Sequence, residues 1–312
     1  MDNVIRHPDV RDIQALQNIW GTAFGSDDAP LFFNRYFKPE SCITVYCGGI
    51  PASAGYYYHA GNLICNEKRT PCAMIYAVAT LPEFRGRGFG AAVVEKLIAA
   101  ARSAGYPIVA LCPSEDSLFE YYRARTEMKE YFYVAEQRVA AASDGIRHDG
   151  LIPVLADEYS RLRTGLLAGI PHIEPDLNAL LYQASLCGDN NGGMFRINSP
   201  GGVSITIVEE GRTGAVQVKE LLYRDGCGKD ALSAIITAFP AQEYIVWTPA
   251  RSADRTSPSD PVAAPEIRRF GMLASPEYLT VDIDFYRPVP PGSRASSPAS
   301  QLSLPWLGLA FD

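Results

Sequence analysis

The stretch Val78-Ala-Thr-Leu-Pro-Glu-Phe-Arg-Gly-Arg-Gly-Phe-Gly90 decides the fold of this chain. Its glycines at 86, 88 and 90 let the backbone turn tightly and approach a ligand closely. The stretch lies where an apolar run gives way to an amphipathic one, so a strand here leads into the N-terminus of a helix. Backbone N–H groups at such a terminus suit a pyrophosphate, and Arg85 and Arg87 add positive charge. Residues 85–90, named the phosphate turn below, are therefore predicted to bind phosphate.

The flanking segments predict a β-α-β unit around the phosphate turn. Residues 72–80 are almost continuously apolar, which is typical of a strand buried on both faces. Residues 90–102 carry apolar side chains at helical spacing, and Ser103-Ala-Gly105 follows as a glycine-capped end. A second apolar run covers 108–112 and stops at Pro113. We expect the two strands to be parallel, because a helix connects them.

The segments before this unit predict antiparallel strands and two helices. The first helix covers residues 9–24, with Asp9 as its N-cap, and a short second helix covers 31–37. Two strands follow over 43–47 and 52–58, with a Gly-Gly turn between them. Antiparallel and parallel strands together indicate an α/β protein with a mixed sheet.

The second half of the chain repeats this order of elements. Strands are predicted over 193–197, 203–208, 215–223 and 244–248, with a helix over 229–239 and a turn at Gly226-Cys-Gly228. From the last turn glycine to the proline that ends the next strand is 23 residues in the first half and 21 in the second. This match predicts a degenerate duplication, in which Tyr223 stands where Arg85 stands in the first half.

Length and composition divide the chain into two domains. Its 312 residues favour two domains at about 150 residues each. We predict the boundaries 1–142 and 150–312, with mobile Ser- and Pro-rich loops near 250–265 and 287–301. Strands expected at 270–273, 278–285 and 304–311 would tie the chain end into a sheet.

Charge and cysteine content exclude several functions. The net charge of −7 disfavours nucleic-acid or membrane partners. No stretch of the sequence reaches the roughly 18 apolar residues of a membrane span, and its first residues lack the basic-then-apolar order of a signal peptide. We therefore expect a cytoplasmic protein. Seven cysteines without a C-x-x-C disfavour disulfides and a thiolate metal site. His172-Ile-Glu174 matches the H-x-E of zinc deaminases, but the required P-C-x-x-C is missing, so we expect no metal.

A dinucleotide-binding Rossmann unit is an alternative for the phosphate turn. Gly86-x-Gly88-x-x-Ala91 fits the loose G-x-G-x-x-G/A pattern. The acidic residue expected about 20 positions further on would fall within 106–111, where the sequence has no carboxylate. This mismatch disfavours the alternative.

The phosphate turn, preceded by Val78-Ala-Thr and Pro82-Glu, closely resembles the acyl-CoA motif R/Q-x-x-G-x-G/A of the GNAT superfamily of N-acetyltransferases. The resemblance covers roughly residues 3–135 and implies a mixed, splayed sheet with acetyl-CoA as acyl donor. It implies that Val78, Ala79 and Thr80 lend backbone groups to the pantetheine arm. The residues that it assigns to the pyrophosphate are Arg85, Gly86, Arg87, Gly88, Phe89 and Gly90.

The resemblance also implies residues further along the chain. The family often has an asparagine that holds pantetheine where Ser114 or Glu115 stands here, and we assign Ser114 to this role. The family's thiolate-protonating tyrosine corresponds to Tyr122, with Tyr121 as the alternate, because the spacing to Thr126-Glu127 matches the family's Tyr-x-x-x-Gly-Phe. Thr126-Glu127 departs from that Gly-Phe pair, which weakens this assignment. A proton donor near the leaving thiolate is the chemical requirement.

The whole chain resembles the tandem acetyltransferases of the enhanced intracellular survival type, without their third domain. In those relatives the terminal carboxylate can serve as general base, a position that Asp312 holds here. Because residues 72–80 include no carboxylate, a water chain, a residue of the second half and Asp312 all stay open as the base.

The sequence therefore predicts an N-acetyltransferase in which a primary amine attacks acetyl-CoA directly. The alternative is a non-catalytic CoA-binding sensor or partner-binding protein, because the strand lacks a carboxylate and the second half is degenerate. Acidic residues near the expected cleft favour a cationic acceptor: Glu115, Asp116, Glu120 and Glu127. The acceptor's identity, a longer acyl group and an oligomeric state stay open.

Overall fold

The computed structural model describes residues 2–25, 29–140, 150–211, 214–250, 265–275 and 304–308. The chain divides into two compact units. The first comprises Met1–Asn62, Thr70–Tyr131 and Gly271–Tyr278, and the second comprises Leu63–Arg69, Phe132–Phe270 and Leu279–Asp312. Three predictions lie outside the described residues: the domain boundary between 142 and 150, the whole of the loop 287–301 and the whole of the strand 278–285. Of the predicted loop 250–265, only the two end residues are described.

The described residues form seven helices and thirteen strands. The helices are α1 (Ile13–Phe24), α2 (Ala29–Arg35), α3 (Phe89–Ser103), α4 (Asp116–Arg125), α5 (Ala156–Leu166), α6 (Leu177–Asp189) and α7 (Gly228–Ala238). The strands up to residue 140 are β1 (Asn3–Arg6), β2 (Cys42–Cys47), β3 (Ile50–Cys65), β4 (Lys68–Thr80), β5 (Ile108–Leu111) and β6 (Lys129–Ala140). The later strands are β7 (Ile152–Pro153), β8 (His172–Glu174), β9 (Gly193–Ser199), β10 (Gly202–Glu210), β11 (Val216–Leu222), β12 (Glu243–Thr248) and β13 (Glu266–Ala274).

The sheet of the first unit is mixed, which confirms the predicted fold class. Strands β1, β2 and β3 pair antiparallel in that order. Strands β4 and β5 pair parallel, from Cys72 opposite Ile108 to Ile75 opposite Leu111, as the β-α-β pattern predicts. The last residues of β13 then pair antiparallel with β5.

Helix α3 packs its apolar stripe on this sheet. Val93, Val94, Leu97 and Ile98 are at most 1% exposed, which confirms the predicted amphipathic helix. The sheet surface beneath is flattened at Gly55, where a Cβ would lie 2.8 Å from Val93 Cγ1. The first predicted helix also forms, but its first turn, residues 10–12, is a 3-10 turn capped by Asp9.

The second unit contains the second β-α-β element that the repeat predicts. Strands β9, β10 and β11 pair antiparallel, and β11 pairs parallel with β12 through the connecting helix α7. Helices α5 and α6 were not predicted from the sequence.

The described end of the chain is tied into the second unit by backbone hydrogen bonds. Leu304 N donates to Ala250 O, and Trp306 N donates to Pro171 O. Trp306 forms an isolated bridge with His172 instead of the predicted continuous strand, and the rest of the predicted strand, with Asp312, lies outside the described residues. In the described segments, no helix is long and apolar enough to cross a membrane.

Candidate active site

Strand β4 extends past the end of its partner and changes direction there. Its pairing with β5 ends at Ile75 opposite Leu111, whereas β4 continues to Thr80. Ala77 has a φ of +50°, in the left-handed region that costs a residue with a side chain about 1–2 kcal/mol. Such strain often marks a functional site. The end of β4 beyond Ile75, called its splayed end below, therefore has an irregular backbone that no longer pairs with β5.

Aromatic rings pack against the residue before this bend. Tyr76 lies 5.5 Å from Trp20 and 5.6 Å from Phe32, measured between ring centroids. The same cluster includes Phe24, Phe33, Phe37, Tyr56 and Tyr58. The Tyr56 hydroxyl is buried and has no hydrogen-bond partner among the described residues, and burial raises its pKa well above the usual value. The cluster holds β4 firmly on one side of Ala77.

Side chains fix the carbonyl groups at the end of β4. The Ser53 hydroxyl donates to Ala79 O at 2.8 Å and also lies 2.8 Å from the Thr80 hydroxyl. Arg85 Nε donates to Thr80 O at 3.2 Å. Val78 packs against the core of the first unit. Of the predicted pantetheine segment, two carbonyl oxygens are therefore already engaged within the protein.

The phosphate turn has the backbone conformation that its glycines permit. Gly86 and Gly88 have φ values of +77° and +78°, and Gly88 is the N-cap of α3 without a side-chain cap. A Cβ at either glycine would meet open space. Arg85 and Arg87 are exposed beside them. The helix dipole and both guanidinium groups thus place positive charge around an uncovered amide surface.

The remaining residues of the turn face the protein interior. Phe89 is buried in the core of the first unit. A Cβ on Gly90 would lie 3.7 Å from the Tyr121 hydroxyl, which is an ordinary contact distance. The Arg87 guanidinium lies 5.4 Å from the centroid of the Phe84 ring. The turn is thereby anchored on one side and open on the other.

The two adjacent tyrosines of α4 occupy different surroundings. Tyr121 accepts a hydrogen bond from Ala91 N at 3.2 Å, at the start of α3. Tyr122 is 5% exposed and belongs to the core cluster. Burial raises the pKa of Tyr122, and the neighbouring Tyr121 adds to the rise. The structure therefore brings the Tyr121 hydroxyl against the start of α3 and buries Tyr122 in the core of the first unit.

The other predicted positions lie at the surface. Ser114 is exposed in the connection between β5 and α4. Of the acidic residues considered for substrate attraction, Glu127 pairs with Arg102 at 2.6 Å and Glu120 pairs with Arg123. Those two carboxylates are neutralised locally. In the described ranges, no group of His, Cys, Asp and Glu side chains could hold a metal ion.

The N-terminal part of the chain is similar in sequence to a known protein family. Residues 4–125 match the family model of the acetyltransferase (GNAT) domain. No curated protein matches the chain in sequence.

Solved structures resemble the chain beyond this GNAT domain. A GCN5-related N-acetyltransferase from Anabaena variabilis aligns at a TM-score of 0.63 and 16% identity, covering 87% of this chain and 72% of that chain. One from Kribbella flavida aligns at 0.58 and 17%, covering 87% and 71%. Eis1 from Mycobacterium abscessus aligns at 0.56 and 14%, covering 88% and 73%. At these identities the likeness shows a shared fold.

GNAT acetyltransferases use acetyl-CoA, and the residues of this GNAT domain fit it. The open surface at Gly86 and Gly88, flanked by Arg85 and Arg87, suits the diphosphate. The acyl donor supplies an activated thioester carbonyl. The glycine spacing predicts these residues from the sequence, but not Ser53 and Ala77, because a run of small residues gives no signal of a hydroxyl contact or of a positive φ.

Proposed function

We propose that this protein is an acetyl-CoA-dependent N-acetyltransferase that acetylates a primary amine by direct transfer. The observation that carries the proposal is the open phosphate turn at the splayed end of β4. In the proposed reaction the amine nitrogen bonds to the thioester carbonyl carbon, the carbon–sulfur bond breaks, and the sulfur receives a proton. Holding both reactants in line supplies much of the rate enhancement.

The chain's residues take distinct roles in this proposal. Residues 85–90 bind the diphosphate, and the backbone of Val78, Ala79 and Thr80, with Ser114, positions the pantetheine arm. The N–H groups around Ala77 polarise the thioester carbonyl, because the bend turns backbone away from regular pairing. The contacts of Ser53 and Arg85 with the end of β4 preorganise this surface.

Tyr122 is the proposed general acid. A tyrosine hydroxyl is protonated at neutral pH, and burial raises the pKa of Tyr122 further above that range, so the hydroxyl has a proton to donate to the leaving sulfur. The Tyr121 hydroxyl already accepts the Ala91 amide, which favours a positioning role for it. A water chain, a residue of the second half and Asp312 are the proposed sources of the base.

The second unit is proposed to be a GNAT-like domain that has lost CoA. A Cβ on Gly228, at the start of α7, would lie 2.9 Å from ring atoms of Tyr223. The tyrosine ring therefore lies closer to the start of α7 than any side chain lies to the equivalent Gly90, where a Cβ would come no nearer than 3.7 Å to the Tyr121 hydroxyl. The proposed location is the cytoplasm, supported by seven free cysteines, since thiols stay reduced there.

Thiol release from acetyl-CoA across a panel of primary amines tests the proposal. We expect turnover with at least one amine, a loss of about 100-fold in kcat for Tyr122→Phe, and a smaller loss for Tyr121→Phe. Equal rates for wild type and Tyr122→Phe would remove Tyr122 as the acid. Tight CoA binding without turnover on any amine would instead support the sensor, and no CoA binding would overturn both functions.

A further inference from the structure

The C-terminal turn of α4 carries a third arginine, Arg125, beside the tyrosine that bonds to the first turn of α3. The Arg125 guanidinium lies over the ring of Tyr121, 4.6 Å from its centroid. The hydroxyl of that same ring is 3.2 Å from Ala91 N, in the first turn of α3. Two direct contacts thus connect Arg125 with the helix N-terminus at which the diphosphate is proposed to bind.

The charge on Arg125 differs from that of its neighbours in being uncompensated. Arg123, two residues earlier on α4, pairs with Glu120 and lies 3.7 Å from Glu130. Arg102 pairs with Glu127. Within the described part of the chain, no carboxylate lies within ion-pair distance of Arg125, and its side chain is exposed. A cation held on an aromatic ring but left without a counter-ion is suited to an anionic ligand.

We propose that Arg125 is a third phosphate-binding cation for CoA, which Tyr121 holds in position. This inference rests on the proposed function and adds a residue that the acyl-CoA motif does not contain. Arg85 and Arg87 approach the ligand from the turn, and Arg125 approaches from α4. The phosphate that it contacts is either the diphosphate or the 3′-phosphate of CoA, since both present the same oxygen chemistry.

Calorimetric binding of CoA, dephospho-CoA and pantetheine to Arg125→Ala tests the inference. We expect the variant to bind CoA about tenfold more weakly than wild type, which is the loss of one exposed charge-assisted contact. Pantetheine, which lacks both phosphate groups, should bind the two proteins equally. An equal loss for dephospho-CoA assigns the contact to the diphosphate, and a loss confined to CoA assigns it to the 3′-phosphate.

Matched variants separate a phosphate contact from an effect on the fold. Arg123→Ala removes an arginine from the same helix and should leave CoA affinity unchanged, because its charge is already paired. Tyr121→Phe keeps the ring beneath Arg125 and should weaken CoA binding less than Arg125→Ala. If wild type binds CoA and Arg125→Ala binds it equally well, or if Arg123→Ala causes the same loss, the inference is wrong while the proposed function stands.

Discussion

Gly88 and Gly90 belong to one motif but serve different physical purposes. Gly88 has a φ of +78°, so any side chain there strains the backbone by about 1–2 kcal/mol. Gly90 lies inside α3 with helical geometry, and a methyl group on it would contact only the Tyr121 hydroxyl and, at 4.0 Å, the Thr80 hydroxyl. The protein alone therefore does not require glycine at 90. The proposed ligand does require glycine at 90, because a bound phosphate would approach the backbone closely there.

Gly90→Ala should separate stability from binding. We expect the free energy of unfolding to rise by about 0.5 kcal/mol, because alanine loses less backbone entropy in a helix. CoA affinity should fall at least tenfold, since the methyl group would cover the amide surface of the turn. Urea unfolding and calorimetry measure the two effects. Gly88→Ala serves as the comparison, because it should lower stability, and unchanged CoA affinity in Gly90→Ala would contradict the proposed ligand position.

Some residues of the candidate site could be predicted from the sequence and others could not. The turn at 85–90 could be predicted because its positive φ values favour glycine, so the backbone conformation is reflected in the residue types. Ala77 adopts a positive φ without such a signal in its residue type, since its strain is imposed by surrounding tertiary contacts. Ser53 could not be assigned either, because it acts through a contact with Ala79, which is distant in sequence.

At the scale of elements, α5 shows why a regular helix can escape prediction. Its buried positions, Ala156, Tyr159 and Arg163, have helical spacing. Arg163 interrupts the apolar stripe, although it is only 1% exposed. Its guanidinium pairs with the buried Glu220 at 2.9 Å, and Glu220 also accepts from the Tyr159 hydroxyl at 2.7 Å. Because these polar side chains occupy the buried face of α5, its sequence lacks the continuous apolar periodicity from which a helix is predicted.

The segment 304–308 docks onto this buried ion pair. Trp306 Nε1 donates to Glu220 Oε1 at 2.7 Å. Gly308 lies directly above, where a Cβ would come 2.7 Å from the same Glu220 oxygen and would also collide with Arg163. Glycine is thus required at 308 both by its φ of +77° and by the space beneath it.

Gly308→Ala should release this segment from the second unit. Gly169 offers the matched control, because its φ is +80° but a Cβ there would meet nothing within 4 Å. We expect Gly169→Ala to cost about 1 kcal/mol from backbone strain, and Gly308→Ala to cost about 3 kcal/mol because it also disturbs a buried ion pair. Urea unfolding gives both values. Faster amide exchange at Trp306 and Ile173, which bond across the docked segment, should accompany the larger loss. If both substitutions lower the free energy of unfolding equally, the ion pair shifts to make room for the methyl group and the prediction is wrong.

At the scale of the whole molecule, local patterns predicted more than long-range pairing. Both β-α-β elements followed from apolar runs separated by a turn and an amphipathic helix, and both parallel strand pairs formed as expected. The pairing of Met272 with Leu111 had no such signal, because strand partners distant in the chain are chosen by the packing of the finished sheet. The repeated β-α-β elements could thus be predicted from the sequence, whereas the pairing of strands that are distant in the chain could not.

The two halves differ in what lies against the start of the helix that follows the turn, and we expect this difference to set the number of CoA molecules bound per chain. Gly88 and its counterpart Gly226 both face open space. A Cβ on Gly228 would lie 2.9 Å from the Tyr223 ring, whereas a Cβ on its counterpart Gly90 would meet only the Tyr121 and Thr80 hydroxyls, at 3.7 and 4.0 Å. Binding to the second turn would require that ring to move and would lack the charge that Arg85 supplies in the first. We therefore expect one CoA per chain in calorimetry, with amide protection on binding at residues 85–91 and none at 223–228. Arg85→Ala should weaken that single event without revealing another. Two binding events per chain, or protection at the second turn, would show that Tyr223 is a movable gate and that both halves bind CoA.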